Sequence, residues 1–191
     1  MKFKTGLFAF ALGTGLAGAQ GTLVFDQQST GAIDGQASSF QTPIGQSFTP
    51  SFDSIGFIEL HLLDGSSAST VAINLRNDSI TGSLLGTTTP MTLPASSFGT
   101  FDFFFSTPIT LVPGTKYFFE PTVVSGGGFV TDVTFVQYAG GDLIQSGVTR
   151  TDRDMWFQEG IVGTVPEPSA AALFVAAGVA FFCVAHKRSV A

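Results

Sequence analysis

Acidic side chains are the residues of this chain best suited to binding a metal ion, and they concentrate late in its middle segment. Carboxylate oxygens are hard ligands, and Ca²⁺ takes about six to eight oxygens, some of them from loop carbonyls. The spacing of an EF-hand loop is absent, so solvated loop carboxylates, partly paired with Arg150 and Arg153, are the simpler interpretation. We expect no cofactor; a structural calcium ion is the alternative. The acidic residues in question are Asp132, Asp142, Asp152, Asp154 and, close behind, Glu159.

Three aromatic side chains of the same segment combine a ring with a polar atom: Tyr117, Tyr138 and Trp156. An aromatic face can stack on the C–H face of a sugar ring, while neighbouring carboxylates bind its hydroxyl groups. Trp156 and Tyr138 are therefore the candidates for a glycan-binding platform. The chain also holds 21 phenylalanines, so packing in a core is the favoured interpretation for each of these rings.

Catalytic chemistry has little support in the sequence. Glycosidases need two carboxylates about 5 to 10 Å apart, and Asp152 and Asp154 share a face only if their segment is extended. A Ser-His-Asp hydrolase would have to use His61, which alternation places beside Glu59. The single cysteine, Cys183, lies in an apolar C-terminal run and supports neither an intrachain disulfide nor a thiolate zinc site. We predict a non-enzymatic protein, with a secreted polysaccharide hydrolase as the alternative.

The charge balance excludes one class of partner. The chain has 191 residues, and its stretch from 20 to 165 carries 13 acidic against 4 basic side chains. A nucleic-acid binder needs clustered cations that neutralise phosphates, and this stretch has no such cluster. We therefore expect no nucleic-acid partner.

Period-two alternation of apolar residues recurs along this stretch and predicts β-strands between turn residues. In residues 57–63, Ile58, Leu60 and Leu62 share one face, and Phe57, Glu59, His61 and Leu63 share the other. About nine short strands with no helical stretch predict an all-β domain over residues 20–164, a β-sandwich of jelly-roll-like type. The other predicted strands are 23–26, 45–49, 71–77, 84–88, 101–105, 116–120, 131–138 and 155–161.

The order of these elements resembles a class of exported bacterial β-sandwich domains. The matching stretches are GQSFT at 45–49, VAINLR at 71–76, ITLVPGTKY at 109–117, YAGG at 138–141 and DMWF at 154–157. The resemblance implies the fold and carries over neither a ligand nor an active residue.

The first 19 residues predict a secretory signal peptide. Lys2 and Lys4 precede an apolar stretch at 7–16, and Ala17-Gly18-Ala19 provides the small residues that a signal peptidase accepts. Cleavage before Gln20 would export the middle domain. A buried N-terminal helix is the alternative.

The C-terminal segment, residues 165–191, has three parts in order. Val165-Pro166-Glu167-Pro168 is followed by sixteen apolar residues at 170–185 and then by His186, Lys187 and Arg188. The apolar part reaches about 24 Å as a helix, slightly short of the roughly 30 Å hydrocarbon core of a membrane, and snorkelling cations can cover the difference. The basic residues predict that the C-terminus stays in the cytoplasm while the domain lies outside.

This segment closely resembles the PEP-CTERM sorting signal of Gram-negative bacteria. Pro166, Glu167 and Pro168 match the family motif residue by residue, the apolar span matches its transmembrane helix, and His186, Lys187 and Arg188 match its basic stop cluster. The resemblance implies that an exosortase at the inner membrane processes the precursor and directs it to the cell surface or the extracellular matrix. An ordinary C-terminal anchor is the alternative.

Together these features predict an exported, non-enzymatic surface or matrix protein. Its processing partners would be signal peptidase and exosortase, and its partner outside the cell would be an extracellular polysaccharide. The alternative function is a glycan-binding module that uses Trp156 or Tyr138.

Overall fold

The computed structural model of the protein describes residues 21–135 and 137–163. These residues form fourteen β-strands and no helix, which confirms the predicted all-β fold. No helix among them is long and apolar enough to cross a membrane. The predicted signal peptide at 1–19 and the predicted sorting segment at 165–191, including Pro166 to Pro168 and His186 to Arg188, lie outside the described residues.

Seven antiparallel strands form the first sheet: β1 Thr22–Ser29, β2 Gly35–Ser38, β4 Ser54–Asp64, β8 Phe98–Thr110, β10 Phe129–Thr134, β13 Asp154–Met155 and β14 Phe157–Gly163. β8 pairs along almost the whole of one edge of β4. On the other edge, β14 pairs with residues 57–60 of β4 and β10 pairs with residues 62–64. β4 is therefore the strand that brings β8, β10 and β14 together.

The other seven strands form the second sheet: β3 Gly45–Phe48, β5 Ser69–Asn77, β6 Leu84–Thr87, β7 Met91–Leu93, β9 Tyr117–Gly126, β11 Leu143–Gln145 and β12 Val148–Arg150. β5 and β9 pair over their whole lengths, from Ser69 opposite Gly126 to Asn77 opposite Tyr117. β3 and then β11 extend the sheet beyond β9, and β6 and β7 pair with β5.

A single apolar core lies between inward-facing residues of both sheets. Ile58, Leu60 and Leu62 of β4 are fully buried in it, as are Phe103 of β8 and Phe119 of β9. Burying these side chains stabilises the domain because each removes a large apolar surface from water. Two antiparallel sheets around one core are consistent with a β-sandwich.

The structure corrects three details of the predicted strands. β10 ends at Thr134, so Tyr138 lies in the following loop and not in a strand. The strand predicted at 155–161 is interrupted at Trp156, which separates β13 from β14. The domain also has more strands than the roughly nine predicted, because β2, β7, β11 and β12, each of three or four residues, are too short to show an alternating pattern.

Candidate functional site

The side of β4 that faces away from the core carries polar and aromatic residues. Leu60 and Leu62 point into the core, whereas Phe57, Glu59 and His61 point to the other face of the first sheet, as period-two alternation predicted. The residues opposite these three on β8 are Phe104, Asp102 and Thr100. This register places two phenylalanines, two carboxyl groups and an imidazole along one short stretch of the sheet.

His61 makes a polar contact with a buried carboxylate on this face. Its Nδ1 lies 2.5 Å from Oδ2 of Asp132, a carboxylate that is only 1% exposed. The amide of Gln36 donates a hydrogen bond of 3.1 Å to the other oxygen of Asp132. The imidazole is 15% exposed, so its position is fixed from below by a carboxylate while part of the ring stays at the surface. A ring nitrogen held by a carboxylate fixes both the orientation of the ring and the role of the second nitrogen.

The divergence of two strands explains why Asp132 and Trp156 both meet His61. β14 leaves β4 after Leu60, and β10 takes its place from Leu62 onward. Trp156 sits at this junction, between β13 and β14, and its backbone N–H donates to the carbonyl of Asp132 at 2.8 Å. Its ring centroid is 5.5 Å from that of His61. The break in the strand thus directs the indole ring toward the imidazole.

Phe98 covers the imidazole from the β8 side. Its ring stands edge-on to His61 with 4.7 Å between the ring centroids, and the side chain is 61% exposed. An exposed phenylalanine and a partly exposed tryptophan on either side of a polar ring form a surface that suits a ligand with an apolar face and polar edges.

Glu59 and Asp102 form an acid pair next to this cluster. They lie directly opposite each other on β4 and β8. Burial, and then the hydrogen bond and the charge of Asp102, raise the pKa of Glu59 to about 7. The neighbouring carboxyl group disfavours the charged form of Glu59, because like charges repel at short range.

A second aromatic cluster lies on the other side of the acid pair. Phe57 is fully buried beneath Phe25 of β1 and Phe104 of β8, with ring centroids 5.6 and 6.3 Å away. Phe25 and Phe104 are 43% and 39% exposed. We call the whole surface the outer face, which comprises Phe25, Phe57, Glu59, His61, Phe98, Asp102, Phe104, Asp132 and Trp156.

The structure places the two residues of the candidate glycan platform, Trp156 and Tyr138, in different surroundings. Trp156 contributes to the outer face, but Tyr138 packs edge-on against the core residue Phe157, with 5.4 Å between ring centroids. The hydroxyl of Tyr138 donates to the side chain of Gln27 at 2.9 Å and accepts from the backbone N–H of Thr49 at 3.3 Å. Burial raises its pKa to about 12. Tyr138 therefore fixes the loop after β10, and none of its ring contacts in the described residues is with Trp156.

Asp142 and Asp154 line one polar cavity of about 210 Å³, together with Lys116, Tyr138 and Thr151. Asp154 is almost fully buried, and it accepts hydrogen bonds from the amide of Gln46 at 2.7 Å and from the backbone N–H of Tyr138 at 2.7 Å. Burial raises its pKa despite these bonds. Its carboxylate mainly ties the two sheets together, because Gln46 belongs to β3 of the second sheet.

The four aspartates predicted as calcium ligands do not converge. Asp132 binds His61 on the outer face, Asp142 and Asp154 share the cavity, and Asp152 is an exposed residue that forms an ion pair with Arg153 at 2.7 Å. The pairing with Arg153 lowers the pKa of Asp152. Among the described residues no group of three or more histidine, cysteine or acidic side chains is arranged to hold a metal ion.

Sequence reasoning missed Asp102 and Phe98 as members of the site. Both lie on the outward-facing side of β8. Only the pairing of β8 with β4 places them beside Glu59 and His61. The sequence also offered no indication that Glu159 points into the core, where it is fully buried and neither carboxylate oxygen makes a hydrogen bond of ordinary geometry.

Comparison with known proteins does not place the chain in a family. No protein-family model matches it, and no curated protein matches it. The functional argument therefore depends on the geometry of the outer face and on the sequences at the two ends of the chain.

Proposed function

We propose that this chain is an exported, non-enzymatic β-sandwich protein that a C-terminal PEP-CTERM-like signal sorts to the cell surface or extracellular matrix of a Gram-negative bacterium. The observation that carries the proposal is the C-terminal sequence: Val165-Pro166-Glu167-Pro168, the apolar residues 170–185 and the basic cluster at 186–188, in that order. Signal peptidase and an exosortase act on the precursor while it is attached to the inner membrane. The proposal includes a jelly-roll-like topology, an N-terminal signal peptide and a C-terminal transmembrane helix.

The extent of the folded domain is compatible with removal of both ends. The compact unit runs from Leu23 to Gly163, and its first and last strands are β1 and β14. A cut before Gln20 and a cut near Pro166 would each fall outside these strands. Pro166 and Pro168 cannot continue a helix, so the chain between them is a suitable extended substrate for a protease.

Intact-mass measurement in a host that carries an exosortase tests the sorting proposal. The wild-type protein recovered from the surface or medium should lack residues 1–19 and 170–191. Replacing Glu167-Pro168 with Ala-Ala should leave the protein unprocessed in the membrane, whereas Ser169→Ala, just outside the motif, should be processed like wild type. A surface form whose mass still includes residues 170–191 would contradict processing and leave a plain membrane anchor.

Glycan binding at the outer face is the second candidate function. The observation that favours it is the position of Trp156, whose partly exposed ring lies beside His61 and the buried carboxylate of Asp132. An aromatic ring next to fixed polar groups is the arrangement that proteins use to stack and orient sugar rings. Screening on a glycan array tests it: Trp156→Ala should abolish binding, while Tyr138→Phe, whose ring packs against Phe157, should leave binding unchanged.

A further inference from the structure

The aromatic and polar groups of the outer face are arranged in a row that suits a chain of linked sugars. Phe57, Glu59 and His61 follow one another at two-residue intervals on β4, so neighbouring groups are about 7 Å apart and the ends are about 14 Å apart. The exposed rings of Phe25 and Phe104 lie over one end, and those of Phe98 and Trp156 over the other. The acid pair of Glu59 and Asp102 lies between the two aromatic clusters.

Acids dominate the charge of this face, and His61, its one basic side chain, is held by Asp132. Glu59, Asp102 and Asp132 are its ionisable acids, and the described residues provide no cation to pair with Glu59 or Asp102. The four cations of the described residues lie elsewhere. Arg76 pairs with Glu120 on the second sheet, Lys116 lines the polar cavity, Arg150 is on β12, and Arg153 pairs with Asp152 and stacks over Phe135.

We propose that the outer face binds a polysaccharide whose sugars carry free amino groups, with the aromatic clusters stacking on the rings and the Glu59–Asp102 pair binding an ammonium group. The inference rests on the glycan-binding candidate above and names its ligand class. An ammonium group would donate hydrogen bonds to carboxylate oxygens of the acid pair, and charge-assisted hydrogen bonds of this kind are stronger than neutral ones. A polymer of uronic acids would instead place its carboxylates against Glu59 and Asp102.

Titration calorimetry with three sugar hexamers tests this selection on the full chain, in mild detergent, at pH 6 and low salt. The hexamers are β-linked glucosamine, its N-acetylated counterpart and a uronic acid. We expect the glucosamine hexamer to bind about tenfold more tightly than the N-acetylated one, and the uronic acid not to bind. Raising the salt concentration should reduce the preference, because it screens partly exposed charges.

Matched variants assign the preference to the acid pair. The double variant Glu59→Gln/Asp102→Asn should bind both glucosamine hexamers equally, with the affinity for the N-acetylated one unchanged. Asp152→Asn removes an acid that lies off the outer face and should keep the tenfold preference. Trp156→Ala should lose binding of both, and melting curves of every variant confirm that it is folded.

Each other result contradicts a different step. Equal wild-type affinity for the two glucosamine hexamers would overturn the amine selection and leave glycan binding intact. A preference that survives in the double variant, or that disappears in Asp152→Asn, would show general charge attraction and would also overturn it. No binding of any hexamer would reject glycan binding itself, and dimers that dissociate on Trp156→Ala would identify a second copy of the chain as the occupant.

Discussion

Glu159 is the residue whose replacement should change stability most clearly with pH. It faces the core from β14, opposite Ile58 of β4, and is fully buried. Neither of its carboxylate oxygens makes a hydrogen bond of ordinary geometry. Burial, followed by the charge of Asp26, raises the pKa of Glu159 to about 8, and the backbone N–H of Gln27 offsets only part of this shift. We predict that Glu159→Gln stabilises the protein in alkaline solution.

The magnitude follows from the difference in pKa between the folded and unfolded chains. The ordinary value is 4.5, and a shift of this size corresponds to about 5 kcal/mol at about 1.4 kcal/mol per unit. The folded state holds the proton where the unfolded state has released it. The stabilising effect of the proton is therefore complete below pH 4.5 and is lost as the pH rises through about 8. Glutamine has the same shape and no charge, so the variant should show no such loss.

Urea unfolding of wild type and Glu159→Gln between pH 4 and pH 9 measures the effect. The two free energies of unfolding should agree at pH 4, and the variant should be more stable by about 3 to 5 kcal/mol at pH 9. Glu120→Gln is the control, because Glu120 is paired with Arg76 at 3.1 Å and its loss should lower stability slightly. Parallel pH profiles of wild type and Glu159→Gln would refute the assignment of Glu159 as a buried, protonated acid.

Three further predictions concern packing, the buried pair and metal. Asp132→Ala should lower the free energy of unfolding by about 1 to 3 kcal/mol in a urea titration, since it leaves His61 and Gln36 without their buried partner; equal stability would show that the pair is replaced by water. Gly45→Ala should lower the melting temperature sharply because its Cβ would collide with the carbonyl oxygen of Phe119, whereas Gly65→Ala, which has open space around it, should not. EDTA at matched ionic strength should leave the melting curve unchanged, and a clear fall would point to a metal ion bound by the acidic residues.

The faces of the long strands could be predicted from the sequence because one side of each is buried. In β4 and β5, residues of the core recur at every second position, with Ile58, Leu60 and Leu62 in one strand and Val71, Ile73 and Leu75 in the other. A shift of one residue would turn such a set toward water, so the pattern specifies which face is buried. Strands of three or four residues carry few side chains for this argument, and of the six strands of that length only β3 and β6 were predicted.

The composition of the outer face could not be predicted, because it depends on which strands pair. His61 and Asp132 are 71 residues apart in the chain, and alternation alone gives no reason to join them. The meeting of Glu59 with Asp102 depends on the register between β4 and β8. Trp156 was a candidate for ligand binding from its residue type, but its position beside His61 results from the break between β13 and β14.

The acid pair contradicts the rule that like charges should not lie opposite each other in a sheet, and such exceptions concentrate at functional sites. We therefore predict that Glu59→Gln stabilises the protein above neutral pH and weakens ligand selection. The pKa of Glu59 is raised to about 7 by burial and by Asp102, so the benefit of its proton is lost as the pH rises through that value. Both groups are partly exposed and screened by water, so Glu59→Gln should gain only about 1 kcal/mol in urea unfolding at pH 8, and nothing at pH 4. The same variant keeps the carboxylate of Asp102, so it should weaken the preference for amino-sugar hexamers less than the double variant Glu59→Gln/Asp102→Asn does. If Glu59→Gln destabilises the protein at pH 8, the pair is a structural contact, and the reasoning that assigns it to ligand binding loses its energetic basis.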